Sequence, residues 1–353
     1  MNNIKNLKLQ LKNGEAFLIV SPENRRYLTG FASSDGYLLI TKSESVFLID
    51  SRYIEAAQNE ITDCGEIALL KSFSVQLPEY IEKLGVKTVF TEAERLSVAE
   101  FAKIQKSVFC ECLAEKADDA INALRRRKSQ AEKEKILAAQ AIAERAFDHI
   151  LGFIKEGVTE REVALTLDFF MLKNGAESIS FETIAVSGKN SSKPHGVPSD
   201  KKIEIGDFIT VDYGAVVDGY HSDMTRTVAV GGVSSKQAEV YETVLAAQKK
   251  SLEALRAGVP CRAADAAARD IIANAGYGEF FGHGTGHGVG IEIHEEPRVS
   301  PKSASILETG DVVTVEPGIY IPSEFGVRIE DMAFITENGY ENLTKTPKNL
   351  IIL

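Results

Sequence analysis

Cysteine is scarce in this chain of 353 residues, which has only four, at positions 64, 110, 112 and 261. Cys110 and Cys112 lie two apart in a strand-like run, so their side chains share a face. A metal-binding pair is one interpretation, but no second close pair completes it. The sequence therefore favours reduced structural thiols.

Long apolar runs and an excess of basic residues are also absent. No apolar stretch approaches the length of a membrane span. The N-terminus, Met1 to Gly14, has lysines among isolated leucines and lacks the continuous apolar core of a signal peptide. The net charge of −11 argues against a nucleic-acid-binding surface, which would be basic. We therefore expect a cytoplasmic protein that binds neither nucleic acid nor membranes.

Two familiar motifs are missing as well. The glycine-rich segment 281–294 does not fit G-x-G-x-x-G from any starting position, and residues 294–297 do not form H-E-x-x-H. These absences exclude the usual dinucleotide fingerprint and the zinc site of that motif.

The composition is that of an ordinary globular protein, with 44% hydrophobic and 26% charged residues. The chain is longer than one typical domain, and we expect two, residues 1–125 and residues 126–353. In the first, short strands alternate with helical patterns, which predicts a small α/β domain. Its predicted elements are a hairpin of Tyr37–Ile40 and Val46–Ile49, a helix at Ile54–Ile61, a strand at Lys87–Thr91 and a helix at Val98–Ser107.

A basic connection, Ala117–Lys128, joins the two parts. We interpret its run of four basic residues, 125–128, as a solvated connection or a helix start. Ser129 and Glu132 then form a capping box, which predicts a helix running to about Lys155 and stopping at Gly157.

The second part contains a diverged internal repeat. The segment Gly206–Gly214 matches Gly310–Gly318, and each copy ends an apolar strand in a carboxylate. Each half reads helix, helix, then a strand hairpin with acidic residues. A copy this long is a half-domain rather than a solenoid unit. We therefore expect a pseudo-two-fold axis, with one acidic pair from each half on a central face.

These acidic pairs are Asp212 with Asp223, and Glu316 with Glu330. Asp212 ends a β-branched, apolar strand that should be buried, and a buried carboxylate needs a partner. Four converging carboxylates are tolerable when cations lie between them. The alternative is a surface pair plus a structural pair.

The histidines indicate the same site. His283, His287 and His294 lie in the segment 281–294, where alternating glycines allow close backbone approach. His195, between a proline and a glycine, has the matching position in the first half. A flexible histidine-containing loop is the alternative interpretation, but it leaves the paired carboxylates unexplained.

These residues resemble the pita-bread metallopeptidases, the family of methionine aminopeptidases, aminopeptidase P, prolidases and creatinase. The family's five metal ligands, in order, match Asp212, Asp223, His287, Glu316 and Glu330. Asn24–Phe31 and Asp50–Tyr53 resemble the N-terminal domain of the proline-specific branch, so the match covers essentially the whole chain. The resemblance implies an α+β protein, with a creatinase-like N-terminal α/β domain and a C-terminal pita-bread domain.

The resemblance also implies two divalent ions, Mn²⁺ or Co²⁺, with Zn²⁺ and Fe²⁺ as alternatives, which suits mostly oxygen ligands and one imidazole. Asp223 and Glu330 would bridge both ions. Asp212 would hold one ion alone, with His287 and Glu316 on the other. Glu316 would also act as the catalytic proton shuttle.

Further roles follow from the same resemblance. His283 and His294 would be catalytic groups that hydrogen-bond the substrate carbonyl or the oxyanion. His294 and His195 would border the pocket for the residue after the scissile bond. Arg328 would orient Glu330 or contact substrate.

The implied activity is hydrolysis of the Xaa-Pro bond, either at the N-terminus of peptides or in dipeptides. This bond is a tertiary amide without an N–H, so it needs a special pocket. Creatinase, which works without metals, and a non-enzymatic scaffold are the alternatives; both are disfavoured because all five ligands are intact. Family analogy also implies a homodimer.

Overall fold

The computed structural model describes residues 3–353, and the chain forms two compact units, Met1–Arg125 and Arg126–Leu353. Within the described range, no helix is long and apolar enough to cross a bilayer.

The N-terminal unit is a six-stranded mixed sheet with helices. Its strands are β1 (Glu15–Ile19), β2 (Tyr37–Thr41), β3 (Ser45–Ile49), β4 (Glu66–Leu69), β5 (Thr88–Thr91) and β6 (Glu111–Ala114). Its helices are α1 (Asn3–Lys8), α2 (Pro22–Thr29), α3 (Ile54–Glu60), α4 (Phe73–Lys83), α5 (Val98–Ser107) and α6 (Ala117–Arg126). The sheet order is β4-β3-β2-β1-β5-β6. The predicted hairpin, strand and two helices are all confirmed, each within one residue of its expected bounds.

Apolar side chains from α4 and α5 pack on this sheet. Leu77 and Ile104 lie in one buried cluster with Leu18, Leu39 and Val89. Alternation of strand and helix therefore predicted this unit correctly, because each helix buries one apolar face against the sheet.

The C-terminal unit has four long helices and several small sheets. The helices are α7 (Gln130–Leu151), α8 (Glu160–Lys173), α9 (Ser235–Glu253) and α10 (Cys261–Asn274). The strands are β7 (Ser178–Ile179), β8 (Ile184–Ser187), β9 (Phe208–Tyr213), β10 (Ala215–Val217), β11 (Tyr220–His221), β12 (Met224–Ala229), β13 (Gly286–Gly288), β14 (Glu295–Val299), β15 (Val312–Val315), β16 (Gly318–Ile321), β17 (Phe325–Arg328), β18 (Asp331–Ile335) and β19 (Tyr340–Asn342). The sheets have the orders β11-β10-β7, β12-β9-β8, β14-β13-β15-β18-β19 and β16-β17.

The internal repeat is confirmed by this element order. The first half runs α7, α8 and the antiparallel pair β9 and β12; the second runs α9, α10 and the antiparallel pair β15 and β18. In each half the helices bury apolar side chains against their strands. The α+β class with a pita-bread domain is therefore correct.

Two expectations near the start of this unit were wrong in part. The basic run is solvated only in part: Arg127 is exposed, but Arg125 and Lys128 are buried. The Lys128 ammonium lies 2.8 Å from a Glu295 carboxylate oxygen, with both side chains almost fully buried. A cation this deeply buried needs a bonded carboxylate partner. The local sequence did not indicate this partner, because Glu295 is 167 positions away.

The long helix also ends earlier than expected. Its capping box at Ser129 and Glu132 is confirmed, but the helix stops at Leu151, not near Lys155. Gly152 is the C-cap, and its N–H is bonded to helix carbonyls. Ile154, in the turn that follows, still packs in the apolar core.

Candidate metal centre

The first half contributes two carboxylates on one face of its strand pair. Asp212 in β9 lies opposite Thr225 in β12. Asp223 lies two residues before Thr225, so it shares the face of Asp212. Both side chains are buried.

The second half contributes two carboxylates just beyond the ends of its strand pair. Val315 at the end of β15 lies opposite Asp331 at the start of β18. Glu316 and Glu330 are the next residues outward on each chain. Each half therefore contributes one acidic pair from one antiparallel hairpin, but the two hairpins differ in register.

The histidine ligand lies in a short strand whose other residues are glycines. His287 lies in β13 between two glycines. A Cβ at Gly286 would lie 2.0 Å from the Thr314 carbonyl oxygen, and one at Gly288 would lie 2.3 Å from the Glu296 carbonyl oxygen. The glycines are needed because neighbouring backbones approach this closely.

All five residues line one cavity of about 530 Å³. Asp223, His287 and Glu330 each offer a ligand atom, and these atoms lie within 4.8 Å of one another. The His287 Nε2 atom lies 3.4 Å from Glu316 Oε1 and 3.6 Å from Asp223 Oδ2. Asp212 lines the same cavity but lies outside the tight group of three.

The carboxylates raise one another's pKa. Burial, and then the charges of Asp212 and Glu316, raise the pKa of Asp223 well above its ordinary value. Burial, and then Asp223, do the same for the pKa of Glu330. The pKa of Glu316 is raised to about 8, first by burial. This arrangement is unfavourable unless positive charge is supplied among the carboxylates.

His287 has the protonation state of a metal ligand. Burial, and then the nearby His294, lower its pKa to about 3, so the ring is neutral. Its Nδ1–H donates to the Gly288 carbonyl at 3.0 Å. The lone pair therefore lies on Nε2, which faces the carboxylates.

Two carboxylate oxygens in the cavity have no hydrogen-bond partner among residues 3–353. They are Asp212 Oδ1 and Glu330 Oε1, and both are buried. Buried acceptors are nearly always satisfied by a donor or an ion. Oxygen donors with one imidazole are a donor set for divalent cations. The residues present therefore fit divalent metal ions.

Arg328 is bonded directly to one ligand carboxylate and through a threonine to Glu330, the ligand it was expected to orient. Its Nη2 donates to Asp212 Oδ2 at 2.6 Å, and it does not touch Glu330 directly. Its Nε donates to the Thr225 hydroxyl at 3.1 Å, and that hydroxyl donates to Glu330 Oε2 at 2.7 Å. The buried guanidinium thus orders one ligand from each half, which the sequence spacing of Arg328 and Glu330 could not show.

His283 is engaged by the protein at both ring nitrogens. Nδ1 donates to the Gly284 carbonyl at 2.8 Å, so Nε2 accepts from the Tyr320 hydroxyl at 2.9 Å. Burial lowers its pKa to about 4, and the ring is neutral. In this arrangement His283 has no free N–H with which to make the expected hydrogen bond to substrate. Sequence reasoning gave Tyr320 no role, although it follows the Glu316 motif directly.

The remaining predicted residues lie on the cavity wall. His195 and His294 both line it, and the rings of His294 and His287 are nearly perpendicular, with centroids 4.5 Å apart. Arg298 also lines the cavity, and no carboxylate among residues 3–353 forms an ion pair with it. Sequence reasoning missed Arg298.

Carboxylates from both half-domains and one neutral histidine line a single cavity. This arrangement is that of a metal-dependent hydrolase. Residues 134–337 match the model of metallopeptidase family M24, and residues 7–127 match that of the creatinase/prolidase N-terminal domain. The chain belongs to metallopeptidase family M24, which confirms the resemblance found in the sequence.

Relatives cover the whole length of the chain. An uncharacterized peptidase, YqhT, of Bacillus subtilis is 43% identical over 100% of this chain and 99% of its own. The structure of an Xaa-Pro dipeptidase from Bacillus anthracis superposes with a TM-score of 0.96 at 41% identity, covering 99% of each chain. That of an X-Pro aminopeptidase from Thermotoga maritima superposes with a TM-score of 0.91 at 37% identity, covering 98% of this chain and 99% of its own.

Proposed function

We propose that this protein is an Xaa-Pro dipeptidase that uses two divalent metal ions. The observation that carries the proposal is the single cavity that holds five potential ligands and, on its wall, the unpaired cation Arg298. The similarity to a solved Xaa-Pro dipeptidase over the full chain supports the same activity.

The five ligands divide between the two ions as the family resemblance implies. Asp223 and Glu330 would hold both ions, Asp212 would complete one site, and His287 and Glu316 would complete the other. Mn²⁺ or Co²⁺ are the proposed ions, with Zn²⁺ and Fe²⁺ as alternatives. When bound, the ions lower the pKa of water from about 15.7 towards 7 and polarise the scissile carbonyl.

Glu316 is the proposed proton carrier. Its Oε1 accepts from the Thr314 hydroxyl at 3.2 Å, which fixes the carboxylate while its other oxygen stays available. The leaving group is the proline nitrogen, which has no N–H of its own in the peptide bond. It must receive a proton as the bond breaks, and a positioned carboxylate can deliver it.

Arg328 and Tyr320 hold the other side of the site. The Arg328 Nη1 donates to the Tyr320 hydroxyl at 2.8 Å, and that hydroxyl donates to His283. Both residues are buried. We propose that these hydrogen bonds hold His283 in place. His283 can then bond to substrate only if Tyr320 moves.

His195 and His294 are proposed to border the proline ring. Neither belongs to the tight ligand group, and both line the cavity. A neutral imidazole offers a flat wall and one hydrogen bond, which suits a compact apolar ring. Burial also lowers the pKa of His294, so it stays neutral at neutral pH.

Arg298 is the proposed partner of the substrate's free C-terminal carboxylate. A dipeptide places that carboxylate one residue beyond the scissile bond, whereas a longer peptide has a neutral amide there. An exposed guanidinium on the cavity wall recognises the first and gains nothing from the second. This is why we favour a dipeptidase over an aminopeptidase.

Arg298→Ala is expected to raise KM for an Xaa-Pro dipeptide by about 10- to 100-fold, the loss of one charged hydrogen bond. KM for the amidated form, Xaa-Pro-NH₂, should change less than about threefold, because no carboxylate is present to lose a partner. Steady-state kinetics on both substrates measures this, with the exposed Arg262→Ala as the matched control. Equal effects on both substrates, or none on either, would show that Arg298 does not bind the carboxylate.

Two further proposals concern the protein as a whole. All four cysteines are free thiols in the structure, which supports a reducing compartment such as the cytoplasm. Family analogy supports a homodimer. Light scattering is then expected to give twice the chain mass of 38.5 kDa, and a single chain mass at working concentration would contradict it.

A further inference from the structure

Five consecutive residues, 194–198, form one wall of the cavity, and none of them belongs to a helix or strand. This segment, which we call the His195 loop, includes the exposed side chains of His195 and Val197. A loop at a catalytic site must be held in place by its surroundings if its side chains are to meet a substrate in one geometry.

The loop is held at both ends by one buried carboxylate, Glu160. Its Oε1 accepts from the Ser187 amide at 2.7 Å and from the Ser187 hydroxyl at 3.1 Å. Its Oε2 accepts from the Ser199 amide at 3.1 Å and from the Ser199 hydroxyl at 2.6 Å. The Asn190 amide donates to both oxygens. One oxygen thus binds Ser187, in the strand before the loop, and the other binds Ser199, the residue that follows the loop directly.

The charge of Glu160 is stabilised by these hydrogen-bond donors and by its place at the start of a helix. The side chain is fully buried, and within residues 3–353 no lysine, arginine or histidine forms an ion pair with it. Glu160 is the first residue of α8, where the amide dipoles favour a negative charge. An ionised carboxylate accepts at every lone pair and donates nowhere, so it is the one side chain of this size that can satisfy all of these donors.

The first residue of the loop is hydrogen-bonded to an arginine of the metal centre. Arg328, which bonds Asp212, also donates to the Pro194 carbonyl at 3.2 Å. The loop is closely packed there, since a Cβ at Gly196 would lie 2.8 Å from Val186. Glu160 therefore acts on the site only through the loop, because it touches neither the cavity nor any ligand.

We propose that Glu160 is a positioning residue that fixes the His195 loop for substrate binding. The proposal rests on the proposed peptidase function for its kinetic part, but not for its structural part. A rotation or displacement of His195 by about 1 Å would lower catalytic efficiency by about 100-fold, although Glu160 never contacts substrate.

Glu160→Gln is the direct test, because it keeps the shape and replaces one accepting oxygen with an NH₂ that faces three donors. The matched control is Glu162→Gln, which makes the same change of charge two residues along the same helix end. Glu162 caps that helix and makes no contact with the loop. Glutamine is also compatible with its capping role.

Two measurements on the full-length protein decide the proposal. Hydrogen exchange of metal-free protein should rise in residues 187–199 in Glu160→Gln and stay unchanged in Glu162→Gln. With the metal-loaded protein and Ala-Pro as substrate, Glu160→Gln should lower kcat/KM by about 10- to 100-fold with metal content unchanged, while Glu162→Gln should stay within about twofold.

A double-mutant cycle separates positioning from general damage. If Glu160 acts through His195, combining Glu160→Gln with His195→Ala should cost no more than about threefold beyond the worse single variant. Combining it with His294→Ala, on a different segment of the wall, should multiply the two losses. If Glu160→Gln does not fold, Ser199→Ala removes one donor from the same end and should produce a smaller effect in the same direction.

Several results would overturn the proposal. They are unchanged exchange in residues 187–199, losses that multiply with His195→Ala, or an impaired Glu160→Gln beside a fully active His195→Ala. If the wild-type protein does not cleave Ala-Pro, the proposed function fails, and the exchange measurement alone still decides whether Glu160 holds the loop.

Discussion

Glu316→Gln is expected to lower kcat on an Xaa-Pro dipeptide by about a thousandfold or more while leaving the fold intact. Glutamine has the shape of glutamate, so packing around β15 is kept. It loses the negative charge that helps hold metal and the basicity that lets the side chain carry a proton. Proton transfer alone is typically worth 10²–10⁴-fold, and the loss of a metal ligand adds to it.

The measurement is turnover at saturating metal and substrate, alongside the melting temperature of each variant. Glu337→Gln, an exposed change of the same kind on the same unit, is the control and should behave as wild type. Turnover of a folded, metal-loaded Glu316→Gln within about tenfold of wild type would refute the proton-carrying role, because that loss is smaller than proton transfer contributes.

Asp223→Asn is expected to abolish the gain in stability that metal gives to the protein. A ligand that binds only the native state stabilises it by RT ln(1 + [L]/Kd), about 2.7 kcal/mol at a concentration of 100 Kd. Asp223 belongs to the tight group with His287 and Glu330. Its replacement removes a charge that, by the proposed scheme, both ions share.

The same variant should be at least as stable as wild type when no metal is present. Burial raises the pKa of Asp223 well above its ordinary value, and the neighbouring carboxylates raise it further. Removing it relieves both the desolvation and the repulsion. Thermal melts of each protein with EDTA and with Mn²⁺ or Co²⁺ measure this. A metal-induced rise in Tm equal to that of wild type would mean that Asp223 is not a ligand.

The ligand set could be predicted because each acidic pair lies within one short segment and the pattern occurs in both halves. In each half an apolar strand ends in an acidic residue, and a second acidic residue follows in the returning strand. The period of a strand places Asp212 and Asp223 on one face. The internal repeat then places Glu316 and Glu330 in the corresponding hairpin of the second half. The glycines beside His287 were likewise visible as a signal of close backbone approach.

The supporting residues could not be predicted, because their partners are distant in sequence. Lys128 pairs with Glu295 across 167 positions, and Arg328 pairs with Asp212 across 116. Glu160 is the first residue of α8, beside the capping box formed by Thr159 and Glu162. Its buried role depends on Ser199, 39 positions later, and nothing in the local pattern of α8 indicates that contact.

The wild-type protein itself gives the most direct test. Purified protein is stripped with a chelator, reloaded with Mn²⁺ or Co²⁺, and assayed on Ala-Pro, Ala-Pro-NH₂ and Ala-Pro-Ala under identical conditions. We expect about two ions per chain, activity on Ala-Pro that disappears with the metal and returns with it, and a kcat/KM for Ala-Pro at least about tenfold above the other two substrates. Hydrolysis of Ala-Pro that survives complete metal removal, or a fully metallated protein that cleaves none of the three, would contradict the proposed function.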